Sequence, residues 1–194
     1  MKVILASKSP RRKELLSEIY DNFEIITEET DETLPHTVHP REGVSVLAQR
    51  KGEAVYEAQK ALRDDIDECL IISSDTLVEK DGEALGKPLS REDAHRMLRA
   101  LSGCTHNVHT GVAVRYRGKT LARTASTEVS FYELSDNEIW DYIDSGEPMD
   151  KAGAYGIQGL AGKFVSGTSG DFDTVVGLSL TLLRALIKEV GGEI

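Results

Sequence analysis

Hydrophobic and polar positions alternate with changing period along the first part of the chain. The continuous apolar run KVILA is typical of a short buried strand, whereas Leu15 and Ile19 are spaced as on one face of a helix. Val44 and Leu47 begin a second, longer helical pattern. In order, we predict a strand at 2–6, a helix at 10–20, a strand at 23–27, an acidic loop at 27–40, a helix at 41–62 and an apolar strand at 69–73.

The second part of the chain combines hairpins with helices. Turn signals at Asp81-Gly82 and Arg117-Gly118 separate alternating runs and predict two antiparallel hairpins. The predicted elements are a hairpin at 77–85, a helix at 90–101, a long hairpin at 107–117 and 119–132, a helix at 135–144, a glycine-rich stretch at 151–170 and a helix at 178–190. This mixture predicts an α/β protein with a mixed, twisted central β-sheet flanked by helices.

Length and charge narrow the classes of function. The 194 residues suit one domain spanning 1–194, and the net charge of −10 argues against broad nucleic-acid binding. No apolar run reaches the roughly 18 residues of a membrane span, and the apolar run near the N-terminus is shorter than that of a signal peptide. Cys69 and Cys104 lie far apart, outside metal-type spacing. We therefore expect reduced thiols in a cytoplasmic protein.

The stretch LASKSPRRKELL at residues 5–16 places consecutive cations at a predicted helix start. Ser9 suits the N-cap and Pro10 the first helical position, so that Arg11 and Arg12 fall in the first turn. Cations in the first turn interact unfavourably with the positive end of the helix dipole, and a bound anion would offset this cost. Two interpretations stay open at this point: a phosphate site, or arginines that point into solvent and pair with nearby carboxylates.

Three charged side chains elsewhere have an ordinary and a functional interpretation. Asp75 directly follows the apolar strand, a common position for a general base or metal ligand, although an aspartate there can also cap a turn. Lys87 precedes Pro88, which restricts its backbone to an extended conformation. Lys51 lies on the long helix. Both lysines could equally be solvated surface residues.

Two loops carry further candidates. Asp31 and Glu32 form a carboxylate pair that could help to hold Mg²⁺, or a solvated acidic loop. Gln158 lies among glycines that allow close approach to a ligand, and its amide can read a nucleobase edge; a flexible surface loop is the alternative. His36 and His39 share the acidic loop but lack a convincing ligand spacing.

Taken together, these segments resemble the Maf proteins, nucleotide pyrophosphatases of the Maf/Ham1 superfamily. The matching segments occur in family order over almost the whole chain. They are LASKSPRRKELL (5–16), SSDTLV (73–78), GKPLSREDAHRML (86–98), LSGCTHNVHTGVAV (101–114), DKAGAYGIQG (150–159) and VVGLSL (175–180). The resemblance implies a nucleotide cleft between two lobes and a metal-dependent hydrolysis of nucleoside triphosphates to monophosphate and pyrophosphate.

The resemblance also implies roles for individual residues. Asp75 matches the catalytic acidic residue, and Arg11, Thr76 and Gln158 match positions linked to base preference in the branch that hydrolyses dTTP and UTP. The branch acting on 7-methyl-GTP has an aromatic residue in place of the first arginine, so Arg11 favours dTTP and UTP. Further positions on the phosphate or metal side are Ser7, Arg12, Lys51, Lys87 and Glu32.

The chain departs from the family pattern at several places. His109 replaces a tyrosine or similar residue, Ser179 replaces a proline, and Asp173-Thr174 replaces a more typical polar pair. None of these removes a proposed catalytic group.

We therefore expect hydrolysis of dTTP and UTP, and of modified pyrimidine nucleotides, with Mg²⁺ or Mn²⁺ held by Asp75 and Glu32 as the cofactor. The alternatives are a 7-methyl-GTP pyrophosphatase, or a nucleotide-binding regulator linked to septum formation that turns over little substrate. The expected partner is the nucleotide, without nucleic acid or membrane, and a homodimer is compatible with the family.

Overall fold

A seven-stranded mixed sheet forms the centre of the computed structural model, which describes residues 1–35 and 37–194. Its strands are β1 (Lys2–Leu5), β2 (Glu24–Ile25), β3 (Cys69–Lys80), β4 (Glu83–Leu85), β5 (Thr105–Tyr116), β6 (Lys119–Phe131) and β7 (Val165–Ser169). The order across the sheet is β2-β1-β3-β5-β6-β7, and β4 pairs with β3. The β1 strand runs parallel to β2 and β3, whereas the other pairings are antiparallel. The predicted mixed α/β class is therefore confirmed.

Helices pack around this sheet. They are α1 (Pro10–Ser17), α2 (Pro40–Lys60), α3 (Arg91–Leu101), α4 (Asp136–Asp144), α5 (Phe172–Val176) and α6 (Leu180–Val190). Serine side chains cap several N-termini, as at Ser9 for α1 and Ser135 for α4, where Glu138 completes a capping box. Among the described residues, no helix is long and apolar enough to cross a membrane.

Two large hydrophobic clusters and a smaller third one, which contains Val55 of α2 and Ile4 of β1, make up the interior. One large cluster contains Val78, Val108 and Tyr155 and packs α3 and α4 against one end of the long strands. The other large cluster contains Ile72, Val112 and residues of α1 and α6. Because the strands β3 and β5 run through both clusters, the sheet joins them, and the space between them is the predicted cleft.

Helix α2 approaches the sheet closely at one glycine. A Cβ atom at Gly111 in β5 would collide with the backbone carbonyl of Val44 in α2. The absence of a side chain therefore lets the helix lie directly on the strand. This contact sets the distance between α2 and the sheet, and thereby the position of Lys51, which lies seven residues further along the helix.

The structure corrects the prediction that Asp75 ends a strand. The strand β3 continues through Asp75 to Lys80, and Asp75 pairs in register with Gly111 of β5. Polar residues are accommodated in mid-strand because Ser73 donates to the carbonyl of Ala48 at 2.6 Å. The alternative of a turn-capping aspartate is therefore also wrong.

Other boundaries differ in detail from the prediction. The second strand is confined to Glu24–Ile25, and the glycine-rich stretch contains the unpredicted strand β7 at the sheet edge. Asp81-Gly82 and Arg117-Gly118 turn the two hairpins as predicted, with positive φ at each residue. His36, part of the acidic loop, lies outside the described residues.

Candidate active site

A cavity of about 1090 Å³ opens between the two hydrophobic clusters. Its walls come from the start of α1, the acidic loop, one face of α2, the middle of β3 and the glycine-rich stretch. It brings together Ser7, Arg11, Arg12, Glu32, Lys51, Asp75, Thr76, Lys87 and Gln158. Asp31, the other member of the predicted carboxylate pair, does not line the cavity and accepts a hydrogen bond from the backbone N–H of Thr33. Residues far apart in the chain therefore meet in one concave, charged site.

The N-terminus of α1 forms one wall, and Arg12 is its most constrained cation. The Ser9 side chain accepts from the backbone N–H of Arg12, which fixes the first turn. The Arg12 guanidinium donates from Nε to the carbonyl of Gly177 at 2.9 Å and from Nη1 to Ser7 Oγ at 3.3 Å. Burial lowers the pKa of Arg12, while the nearby Asp75 carboxylate opposes that shift. The solvent-facing alternative is therefore wrong for Arg12.

A chain of hydroxyl groups continues from Arg12 into the sheet. Arg12 Nη2 donates to Thr76 Oγ1 at 3.1 Å, and Thr76 Oγ1 lies 2.9 Å from Thr110 Oγ1. Thr110 in turn donates to the carbonyl of Thr174 in α5 at 2.7 Å. Thr110 and Thr174 are fully buried. The position of Thr76, and with it one side of the guanidinium, is thus tied to the neighbouring strand and to α5.

A lysine bridges two carboxylates on the opposite wall. Lys51 Nζ lies 2.7 Å from Glu32 Oε1 and also forms an ion pair and hydrogen bond with Asp75 Oδ1. The Lys51 side chain is 19% exposed and that of Asp75 only 11%, whereas Glu32 is 59% exposed. The hydrogen bond from Lys51 lowers the pKa of Glu32, and the charges of Lys87 and Arg12 add to this effect against partial burial. Lys51 is therefore not a solvated surface lysine.

Arg11 and Lys87 add further positive charge to the lining of the cavity. Arg11 is half-buried, and Lys87 is exposed next to the buried Pro88. Lys87 lies close enough to Glu32 to favour its ionised form. The wall cations Arg12 and Lys51 thus have additional positive charge near them, in a protein whose net charge is −10.

The glycine-rich stretch closes the end of the cavity near Arg11. Gln158 is exposed and lines this end, so it is placed where a ligand can be contacted. Lys151 donates to the carbonyl of Glu147 at 3.0 Å and to Asp150 Oδ1 at 2.6 Å. The hydrogen bond from Lys151, with a smaller contribution from the charge of Arg11, lowers the pKa of Asp150.

Sequence reasoning missed several of these residues. Asp150 and Lys151 belong to the matched segment DKAGAYGIQG, and their charges beside a glycine-rich loop were the available signal. Thr110 also belongs to a matched segment, LSGCTHNVHTGVAV, but it is uncharged and its contacts follow from the strand register. The unusual His109 is buried and lies 2.9 Å from Glu79 Oε2 and 2.7 Å from Ser126 Oγ.

Glu32 and Asp75 are two carboxylates of the cavity that could bind a metal ion. Glu32 and Asp75 both approach Lys51, which places their oxygens around one point. Among residues 1–35 and 37–194, no group of three or more His, Cys, Asp or Glu side chains converges. Two carboxylates fit Mg²⁺ when phosphate oxygens and water complete its shell, as is common at nucleotide sites. The residues therefore fit a cation shared with a bound phosphate chain.

Comparison with known proteins gives full-length matches. The family model described as Maf-like protein matches residues 2–190. A dTTP/UTP pyrophosphatase from Bdellovibrio bacteriovorus is 42% identical, with 96% of this chain and 97% of the relative covered. One from Carboxydothermus hydrogenoformans is 46% identical, with 98% and 100% covered. Among solved structures, the Staphylococcus aureus Ham1 protein matches with a TM-score of 0.48 and 14% identity over 97% of this chain and 99% of that chain.

Proposed function

Because the chain belongs to the Maf family, we propose that it hydrolyses dTTP and UTP to the nucleoside monophosphate and pyrophosphate. Relatives that carry the name dTTP/UTP pyrophosphatase align over nearly the full length of the chain. The observation that carries the proposal is the cavity, in which Arg12 and Lys51 converge beside Asp75. Modified pyrimidine nucleotides belong to the same proposed substrate class.

In the proposed reaction, a water molecule attacks the α-phosphorus. Asp75 accepts a proton from this water, a new P–O bond forms, and the bond from the α-phosphorus to the bridging oxygen breaks so that pyrophosphate leaves. Lys51 holds the Asp75 carboxylate in place. Arg12, which donates to Ser7 Oγ, and Lys87 offset the charge that builds up on the leaving group.

We include a divalent cation, Mg²⁺ or Mn²⁺, in this proposal. Glu32 and Asp75 are the residues that would hold it, together with phosphate oxygens. Such a cation supplies charge neutralisation to the triphosphate. Lys51 occupies the point between the two carboxylates, so it would share or yield its contacts when a cation binds.

Base selection is assigned to Arg11, Thr76 and Gln158, which all line the cavity. Uracil and thymine present two carbonyl oxygens and one N–H group. The Gln158 side chain can donate to a carbonyl oxygen of the base and accept from its ring N–H group, and Arg11 can donate to a carbonyl oxygen. This pairing supports a preference for uracil and thymine over cytosine, whose ring nitrogen is an acceptor.

A pyrophosphate-release assay tests the proposal. The wild-type protein is assayed with dTTP, UTP, CTP, ATP, GTP and 7-methyl-GTP, each with Mg²⁺, with Mn²⁺ and with a chelator. We expect the highest kcat/KM for dTTP and UTP, and loss of turnover with the chelator. A higher kcat/KM for 7-methyl-GTP would assign the other branch, and tight nucleotide binding without release of pyrophosphate would favour the regulator linked to septum formation.

Asp75→Asn gives the matched test of the mechanism. The amide keeps the size of the side chain and cannot accept the proton, so turnover should fall by at least about a hundred-fold, the size typical of a general base. Far-ultraviolet circular dichroism serves as the control for folding. Near-wild-type turnover would remove Asp75 from the mechanism.

The proposed setting is the cytoplasm. Cys69 is buried and Cys104 is half-buried, and both are free thiols, as is usual in a reducing compartment.

The homodimer compatible with the family is tested by light scattering of the purified protein. A mass of twice 21.3 kDa would support it, and a monomeric mass at working concentration would exclude it.

A further inference from the structure

On the inward-facing row of strand β5, Thr110 lies between valines. Val108 belongs to one hydrophobic cluster, and Val112 and Val114 belong to the other. Thr110 lies between them on the same face and is fully buried. Valine has nearly the same shape as threonine, so packing alone does not account for a hydroxyl group at this position.

The direction of each hydrogen bond follows from counting protons. A threonine hydroxyl has one proton. Thr110 gives its proton to the carbonyl of Thr174, which can only accept, at 2.7 Å. Thr110 must therefore accept from Thr76 across their 2.9 Å contact, and Thr76 has no proton left to give elsewhere.

This direction suits the next contact in the chain. The guanidinium of Arg12 has only donors, and its Nη2 lies 3.1 Å from Thr76 Oγ1. Because the Thr76 proton points to Thr110, the lone pairs of Thr76 are free to accept from Arg12. Without the hydroxyl of Thr110, the Thr76 proton could turn towards Arg12, and two donors would then face each other.

We propose that Thr110 is a positioning residue, which fixes Thr76 as a hydrogen-bond acceptor and thereby holds the Arg12 guanidinium ready for the phosphate chain. The inference rests on the proposed function, in which Arg12 contacts the leaving pyrophosphate. Its effect on the site is indirect and passes through Thr76, since Thr110 itself does not line the cavity.

The experiment compares three variants with the wild type. Thr110→Val removes the hydroxyl and keeps the shape, whereas Thr110→Ser keeps the hydroxyl. The matched control is Thr127→Val, because Thr127 is also buried and its hydroxyl also donates to a backbone carbonyl, that of Asp171, at 2.7 Å. That bond does not lead to Arg12. Thermal unfolding of all variants checks that each is folded at the assay temperature.

Binding of inorganic pyrophosphate, measured by calorimetry, is the main readout because this probe has no base. For Thr110→Val we expect binding weaker by about ten-fold, as for the loss of one charge-assisted hydrogen bond, and an equal fall in kcat/KM for dTTP and UTP. Thr110→Ser and Thr127→Val should bind pyrophosphate within about two-fold of the wild type, since each retains a hydroxyl at position 110.

Several results would overturn the inference. These are unchanged pyrophosphate binding in Thr110→Val, an equal loss in Thr127→Val, or a changed ratio of dTTP to CTP turnover without a change in pyrophosphate binding. Absence of pyrophosphate binding to the wild type would overturn it as well. A wild type that binds pyrophosphate but releases none from any nucleotide would refute the proposed function alone, and the binding data would still test Thr110.

Discussion

Replacing Lys51 with methionine removes the ammonium group that joins two carboxylates and keeps most of the aliphatic stem. In the wild type, this ammonium bonds to Asp75 Oδ1 and lies 2.7 Å from Glu32 Oε1. The change therefore leaves two carboxylates on one wall of the cavity without their shared cation. We expect a loss of folding stability that is distributed unequally between the two contacts.

The magnitude follows from the exposure of each partner. Asp75 is 11% exposed and Lys51 19%, so their contact is largely shielded from water and should contribute about 1.5–3 kcal/mol, as do hydrogen bonds to charged groups. Glu32 is 59% exposed, which limits its contact to about 0–1 kcal/mol. The free energy of unfolding of Lys51→Met should therefore fall by about 3 kcal/mol at pH 7, most of it through Asp75.

Double-mutant cycles in urea unfolding separate the two contacts. One cycle combines Lys51→Met with Asp75→Asn, and the other combines it with Glu32→Gln. We expect a coupling energy of about 1.5–3 kcal/mol for the first and below about 1 kcal/mol for the second. A coupling to Asp75 below about 0.5 kcal/mol, or an equal coupling to both carboxylates, would refute this reasoning.

The same variant tests the cation site without nucleotide. With the ammonium gone, Mg²⁺ should bind the two carboxylates more tightly and stabilise Lys51→Met more than the wild type. A concentration ten times the dissociation constant corresponds to about 1.4 kcal/mol. Sodium chloride at matched ionic strength is the control, and adding Glu32→Gln should abolish the gain. Equal gains in wild type and variant would count against a shared cation site.

Three further predictions concern packing, pH and base selection. Gly111→Ala should lower the free energy of unfolding in urea by about 3 kcal/mol, because the added methyl group meets the Val44 carbonyl. The control Gly167→Ala adds its methyl group in open space among the described residues and should change the free energy of unfolding by less than about 0.5 kcal/mol; equal losses would contradict this. Burial, with a smaller effect from a nearby lysine, lowers the pKa of His106 to about 4. Between pH 6.5 and 4 the unfolded state thus binds more protons than the folded state, so the free energy of unfolding should decrease by up to about 3 kcal/mol as the pH is lowered through this range. His106→Phe should remove that part of the pH dependence, and parallel stability curves for variant and wild type would contradict this. Arg11→Met should reduce the ratio of kcat/KM for dTTP over ATP about ten-fold in the pyrophosphate assay, and an unchanged ratio would remove Arg11 from base selection.

Periodicity in the sequence predicted most helices and both hairpins because each is specified by local residues. Pro40–Lys60 lies within two residues of its predicted bounds, and the positive φ values of Arg117-Gly118 follow directly from turn chemistry. The strand β7 was missed because VSGTS is an exposed edge strand within a glycine-rich run and has no apolar alternation. Local pattern is thus least informative where a strand buries little.

Asp75 illustrates why the strand around it was misjudged. The polar run from Ser73 to Thr76 interrupts the apolar pattern, which suggested a strand end. In the fold, Ser73 and Ser74 donate to the carbonyls of Ala48 and Gly177, so neighbouring segments satisfy the polar side chains in mid-sheet. Those partners lie 25 and 103 residues away, beyond the reach of any local pattern.

The candidate site divides in the same way. Residue type and motif were sufficient to select Arg12, Lys51 and Asp75, and the fold brings them to one cavity. Two features depend on the strand register and on the distance of α2 from the sheet. They are the ion pair between Lys51 and Glu32 and the hydrogen bonds that connect Thr110 through Thr76 to Arg12. Only the assembled sheet determines these.

Phosphorus NMR of the reaction in ¹⁸O-labelled water tests the central claim most directly, with dTTP as substrate and Asp75→Asn as the control. Water attack on the α-phosphorus places one ¹⁸O atom in dTMP and leaves the pyrophosphate unlabelled. We predict this pattern for the wild type and at least about a hundred-fold slower product formation for the variant. Label in pyrophosphate, or formation of dTDP with labelled orthophosphate, would contradict the account.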